Sequence, residues 1–510
     1  MTDERRIRSI AIVGGGTAGW LAASILARAA PAGTAISVIE SGQIAPIGVG
    51  EATIPPFVDL LRFLGIDETE FVRATGATYK LGILYRDWSL PGHEYWHPFG
   101  TFGTTIERRP FHHYWHRACA ANRTPAIGEF SLCAALGAAG KFRFPDPRAQ
   151  GAAAGLRYAL HFDAATVAGF LRRFAAGLGV QRLERTVATA TRRADGFIEE
   201  LVFTDGERLG ADLYIDCSGF QGVLIEQVLH SGYVDWRAVL PCDRAVAAPT
   251  AISGNRPPYT LASARASGWQ WRIPLQHRFG NGYVYSSAHV SDAAATDDLL
   301  GKVGTPLAEP RVLRFTAGHR RHLWSHNCVA LGLASGFLEP LESTSIQLVI
   351  NGVFNLLDHF PDRAFDPANI AAYNRELTEE LEQIRDFLIL HYWGTLRDDT
   401  PFWREVHAVR LPESLRQRIE LYRGTRRIRA RSGELFTDLS WFYIFAGLGM
   451  RPAAPDPLID EGAVARAENV LYSLRQNIAR EVRAARAHDS YFAPGQPAAA
   501  QDRPASAEPA

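Results

Sequence analysis

The chain has 510 residues, 47% hydrophobic and 21% charged, and its 54 basic and 54 acidic side chains leave no formal net charge. That length points to one large domain with an elaborated second lobe, or to two intimately joined lobes, and zero net charge gives no electrostatic reason to bind nucleic acid or an anionic membrane. Five scattered cysteines without a Cys-x-x-Cys pair argue against a disulfide framework or a zinc site. With no membrane-length apolar run and a charged start lacking a signal-peptide pattern, the expectation is a reduced, cytoplasmic enzyme.

In chain order, Arg8 to Val13 reads as a short buried strand and residues 14–19 as a tight glycine turn. Trp20 to Ala30 has helical periodicity, and Ala35 to Ile39 is a second strand ending on Glu40. A glycine-rich stretch, Ile47 to Thr53, leads to an amphipathic helix over Phe57 to Leu64. A further helix from Asp67 to Gly76 delivers Tyr79-Lys80 into a strand. Asp163 opens a helix to about Leu178. Asp205-Gly206 then turns between two strands, the second being Asp212 to Asp216. Residues 240–290 alternate like β structure, Val329 to Phe360 is strand, loop and long helix, and 364–482 is mainly helical. The last fifteen residues, 496–510, have the composition of a disordered tail.

Gly14-x-Gly16-x-x-Gly19 lies between a strand and a helix, with Glu40 about twenty residues on. The first glycine makes the turn, the second admits a pyrophosphate, and the third lets helix and strand pack closely; Glu40 can accept the ribose hydroxyls. Gly14, Gly16, Thr17, Ala18, Gly19 and Glu40 are therefore dinucleotide-binding candidates. Asp212 to Gly219 resembles the second signature of two-lobed FAD proteins. No second strand-linked fingerprint exists, so no separate Rossmann-type NAD(P)H domain is expected.

Four further segments carry a resemblance that runs from Ile10 to about Pro452. They are Gly48-Val49-Gly50-Glu51-Ala52-Thr53-Ile54-Pro55, Gly268-Trp269-Gln270-Trp271-Arg272-Ile273-Pro274, Gly336 through Ser345, and Lys80 in Ala77-Thr78-Tyr79-Lys80. On these the chain resembles the flavin-dependent tryptophan halogenases. The resemblance implies an α/β fold, namely the FAD-binding, Rossmann-like, two-lobed flavoprotein fold with a β-sheet substrate region and a mainly helical C-terminal lobe. It implies residues 1–360 as FAD-binding domain, with substrate-facing insertions at about 60–160 and 240–325, and 361–490 as a helical cap.

The same resemblance implies FAD, used as FADH2 from a separate NAD(P)H-dependent flavin reductase, with oxygen and chloride or bromide. The hypohalous acid formed travels internally to a small aromatic substrate. Lys80 matches the lysine that binds the oxidised halogen, as a haloamine or through an ammonium hydrogen bond. Only three of the 54 basic residues are lysines, so Lys80 among apolar neighbours stands out. Glu342 matches the glutamate that takes the ring proton or stabilises the cationic intermediate, assisted by Ser343. A salt bridge to Lys80 is its structural alternative. Thr344 and Ser345 match the halide-binding amides, although tryptophan-specific members have glycine at the second position. Val49, Ala52, Val187, Leu333 and Ile346 match FAD contacts, and Trp269 and Trp271 match the tryptophans that screen the flavin. His97 and Phe99 match the pair that sandwiches an indole.

The substrate end departs from the pattern. At Trp441-Phe442-Tyr443 one of the usual paired tyrosines is Phe442, and no acid or tryptophan follows to hold an amino-acid group. An indole-type aromatic other than free tryptophan is therefore expected. The alternatives are a flavin-dependent aromatic monooxygenase and a non-catalytic flavin-binding protein. A homodimer is a family-level expectation.

Overall fold

A computed structural model describes residues 3–42, 50–120, 126–430 and 433–492. Val49, Gly48 and the tail 496–510 lie outside them. The first layer is a six-stranded sheet whose centre is parallel: Leu213–Asp216, Ser9–Val13, Ala35–Glu40 and Gln181–Glu184 lie side by side. On the other flank Cys328–Ala330 is parallel to Leu213–Asp216, and Trp324–Ser325 closes the edge antiparallel. Ile10 and Ile12 are buried, and so are their neighbours Ala11 and Val13, as strands covered on both faces require.

Helix Thr17–Ala29 follows the first strand directly, and its N-cap is Gly16. The helix therefore starts earlier than periodicity suggests: the Trp20 N–H already donates to the Gly16 carbonyl at 3.1 Å, and the Thr17 hydroxyl is held by the Ala164 carbonyl. Gly19 sits inside it, not in the turn. The Asp205-Gly206 turn also differs from expectation. It joins Ile198–Phe203 to Arg208–Gly210, which form a separate three-stranded sheet with Val187–Arg192. Leu213–Asp216 begins a new element, tied to the N-terminus where Asp212 accepts the Arg8 backbone N–H at 2.7 Å. A turn signal fixes a reversal; it does not say which neighbouring segment completes the pair.

The second layer is a seven-stranded sheet in which Arg244–Thr250, Phe279–Tyr285, Gly268–Pro274 and Thr260–Arg265 are successive antiparallel neighbours. Gly82–Arg86 and Glu94–Pro98 extend it. Against this sheet lies the long helix Pro367–Trp393, capped by Asp366, whose carboxylate accepts the Ala368 N–H at 2.7 Å. Among the described residues no helix is long and apolar enough to cross a membrane.

Candidate active site

The dinucleotide turn has the geometry a pyrophosphate needs. Gly14 has φ +121°, and a Cβ there would collide with the Cys217 carbonyl. Around Gly16, by contrast, a Cβ would meet nothing within 4 Å. The helix behind it has no side-chain cap, so its first N–H groups stay available to an anion. Glu40 stands beside the turn, accepting the Trp20 indole N–H at 3.1 Å and pairing with Arg182. Ala18 packs against the 3-10 turn Gly332–Ala334, where a Cβ on Gly332 would lie 2.8 Å from the Ala18 methyl. That contact brings Leu333 to the mouth of the fingerprint. Val187 enters the same region, since the preceding Thr186 hydroxyl is 2.8 Å from Ser41, the residue after Glu40. These residues fit an FAD adenosine and pyrophosphate.

Lys80 is delivered by a short, well-punctuated path. Asp67 caps helix Glu68–Thr75 by accepting the Glu70 N–H at 2.7 Å, and Gly76 ends it at φ +64°. The chain then enters strand Thr78–Lys80, which pairs with Ala159–Asp163. Alternation sends Tyr79 into an aromatic core, stacked 4.4 Å from Phe142, and Lys80 to the opposite face. The same central strand pairs with Gly50–Ala52 on its other side, so Thr53 is carried close to Lys80.

Lys80 is fully buried. Its Nζ donates to the Thr53 carbonyl at 3.0 Å and to Ser343 Oγ at 2.8 Å, and lies 5.2 Å from the Phe99 ring centroid. Burial pushes the amine down to about 7, with the nearby Glu342 charge opposing it.

Glu342 is not that lysine's salt-bridge partner. Its Oε2 is 2.7 Å from His97 Nδ1, and its Oε1 accepts the Tyr85 hydroxyl at 2.6 Å. His391 Nε2 lies 2.8 Å from Oε1, close enough for an ion pair but without a hydrogen bond's alignment. Burial would raise this carboxyl, but His97 and His391 outweigh it and hold Glu342 well below the usual carboxylate range. It is a fixed, ionised acceptor. Tyr85 and His391 carried no sequence signal, and only the fold brings them to Glu342.

Ser343 adopts φ +60°, a conformation uncommon for a residue with a Cβ. The bend turns the chain from Glu342 into helix Ser345–Asp358, whose N-cap is Thr344. Thr344 Oγ1 is buried and without a hydrogen-bond partner, and Ile346 is buried in the first turn. Two successive amides at that start suit a small anion.

Other candidates fall further away. Trp269 and Trp271 are both buried, 6.2 Å apart between rings, and Trp269 donates its indole N–H to Glu339 at 2.9 Å. Phe442 is fully enclosed, stacked 5.2 Å from Phe102 and packed against His112, Trp115 and His116. Tyr443 packs on Phe102 at 4.5 Å. The structure thus brings together Lys80, Ser343, Glu342, His97 and Phe99, and leaves Phe442 and Tyr443 in a separate aromatic cluster around Phe102.

A family model described as tryptophan halogenase matches residues 9–463. Tryptophan 6-halogenase ThaL of Streptomyces albogriseolus is 35% identical over 497 residues, spanning 89% of this chain and 92% of that protein. Among solved structures, BrvH, a flavin-dependent halogenase from Brevundimonas sp. BAL3, superposes with a TM-score of 0.92 at 41% identity, covering 96% of this chain and 99% of that one. Xcc4156, a flavin-dependent halogenase from Xanthomonas campestris, gives 0.91 at 41% identity, covering 96% and 98%. With the glycine turn, the mixed α/β fold and these matches along nearly its full length, the chain belongs to the tryptophan halogenase family of flavin-dependent enzymes.

Proposed function

We propose that this chain is a two-component halogenase acting on an electron-rich, indole-type carbon, with reduced FAD taken from a separate NAD(P)H-dependent flavin reductase. The observation that carries this reading is Lys80, a buried amine hydrogen-bonded to Ser343 and set beside Phe99 and an ionised Glu342. Bound FADH2, with oxygen and chloride or bromide, supplies hypohalous acid. The amides of Thr344 and Ser345 hold the halide at the start of their helix. Lys80 then receives the oxidised halogen: two N–H groups are engaged by Thr53 and Ser343, and the ammonium's third is left to point at the halogen's oxygen. Glu342, fixed by Tyr85 and His97, takes the proton that leaves the ring carbon. Buried walls keep water from diverting the oxidant. Helices after residue 360 close the substrate side.

For the substrate, the enclosed Phe442 offers an ammonium no acceptor, which favours an indole-type compound over free tryptophan. The two solved relatives at 41% identity are described as flavin-dependent halogenases with no substrate named, whereas ThaL, at 35%, is a tryptophan 6-halogenase. The test supplies FAD, NADH, a flavin reductase, oxygen, either halide and indole, and reads the product by mass spectrometry. Halogenated indole is expected, with at least a hundredfold loss in Lys80→Ala. Hydroxylated indole alone would instead favour a monooxygenase, and undiminished halogenation by Lys80→Ala would remove that lysine from the mechanism.

A further inference from the structure

Three residues before Glu342 lies a second buried carboxyl, Glu339, which the proposed chemistry does not use. Its Oε1 accepts two hydrogen bonds, from the Trp269 indole N–H at 2.9 Å and from the Tyr392 hydroxyl at 2.6 Å. The donors come from different layers: Trp269 from the strand Gly268–Pro274, Tyr392 from the end of the long helix Pro367–Trp393. Cys242 Sγ lies 3.5 Å from the Tyr392 hydroxyl and extends the group. Among the described residues no cation pairs with Glu339. Burial pushes its carboxyl up to about 7, against the two donors, so near neutral pH it carries a proton part of the time.

The spacing gives this contact its meaning. Glu339 and Glu342 bracket one 3-10 turn, Pro340–Glu342, and they touch consecutive residues of the long helix: Glu339 meets Tyr392, and Glu342 meets His391. Tyr85 holds the same turn from a third side, donating toward the Leu341 carbonyl at 3.2 Å and to Glu342 at 2.6 Å. Immediately after the turn comes the left-handed Ser343, whose hydroxyl accepts from Lys80. Such a backbone conformation persists only where the surrounding structure over-determines it. Glu339 holds the start of the turn through Trp269 and Tyr392.

We propose that Glu339 is a positioning residue: by tying Trp269 and Tyr392 together it fixes the turn that sets Glu342 and Ser343 against His391 and Lys80. The inference rests on the reading of Lys80 and Glu342 given above. Its consequence is a specific failure. In the productive reaction, FADH2, O2, halide, a proton and the arene give FAD, the aryl halide and two waters. With the turn loosened the oxidant is still made, but Lys80 and Glu342 are misplaced for its transfer, and less arene is converted for each reduced flavin consumed.

The experiment compares wild type, Glu339→Gln, Glu339→Leu and Tyr392→Phe as full-length enzyme, with indole, bromide and chemically reduced FAD. It reads bromoindole formed per flavin oxidised, the KM for indole, FAD affinity and thermal midpoint. Glutamine offers the same oxygen to both donors, so Glu339→Gln is expected to keep at least half the wild-type yield. Leucine offers none, and Glu339→Leu is expected to lose about tenfold in yield while FAD affinity stays within twofold. Tyr392→Phe removes one donor and is expected to lose about threefold; it decides the matter if the leucine variant does not fold. Wild-type yield in Glu339→Leu, or in Tyr392→Phe where the leucine variant is insoluble, overturns the proposal. A glutamine variant as poor as leucine does so too. Lys80→Ala run in parallel separates the two readings: if it halogenates normally, the lysine assignment fails whatever Glu339 does.

Discussion

Replacing Lys80 by methionine removes a buried ammonium and keeps an unbranched stem of similar length. Burial holds the Lys80 amine at about 7, whereas its ordinary value is 10.5. In the unfolded chain the amine therefore keeps its proton over a range in which the native amine has lost it. Across that window the unfolded state binds more protons, so this group makes wild-type stability rise with pH from about 7 to about 10. Below the window the native ammonium is charged and buried, and its cost is fully present. The whole interval corresponds to about 5 kcal/mol, at about 1.4 kcal/mol per pH unit. Methionine lacks this dependence. It also leaves the Thr53 carbonyl and the Ser343 hydroxyl without their donor, a pH-independent loss of about 1–3 kcal/mol. The stability of Lys80→Met relative to wild type is thus expected to fall by about 1.6 kcal/mol between about pH 7 and 8.5. Urea unfolding of both proteins at several pH values measures it, and the difference between them cancels all other titrating groups. A difference that stays flat from about pH 6 to 9 would refute a desolvated Lys80.

Gly14→Ala is expected to abolish FAD binding, because its Cβ would strike the Cys217 carbonyl at a φ alanine avoids; flavin titration giving an affinity within twofold of wild type would contradict that. Glu342→Gln removes the ionised acceptor while keeping its shape, and general-base losses run to about 10²–10⁴-fold. Halogenation should drop by at least a hundredfold while oxygen continues to oxidise the FADH2 that NADH and the reductase supply, and a smaller drop would assign proton removal elsewhere. Phe442→Tyr would place a hydroxyl among Trp115, His112 and His116 without adding a carboxylate. Turnover of free tryptophan is therefore expected to stay at the wild-type level, and a tenfold gain would show that a single hydroxyl controls substrate choice.

Much of the glycine-turn end is legible in the sequence because its signals are local. A strand, a turn needing a left-handed glycine, a helix N-terminus and an acid twenty residues on are set by neighbouring residues. Capping worked for the same reason: Asp67 and Asp163 each mark a helix start that the structure keeps. Lys80, Glu342 and Ser343 are singled out by their segments, and the rarity of lysine in this chain sharpens the first. The helix boundary at Thr17 and the partner strand of the Asp205-Gly206 turn are not legible in the sequence, because each depends on what packs against the segment.

The cluster around Lys80 belongs to the tertiary structure. Lys80 and Ser343 are 263 positions apart, and His97 and Glu342 are 245 apart. Periodicity does not report which side chains meet over such separations; strand register and helix docking decide it. An exposed lysine would keep its proton and an exposed glutamate would be screened by water. Stacking the Thr78–Lys80 strand against the turn before Ser345–Asp358, under a long helix carrying His391, dries both groups and pushes their pKa values in directions the sequence could not state. Residue types set the chemistry open to this chain; burial of Lys80, and the histidines that the fold brings to Glu342, set the protonation states in which it can run.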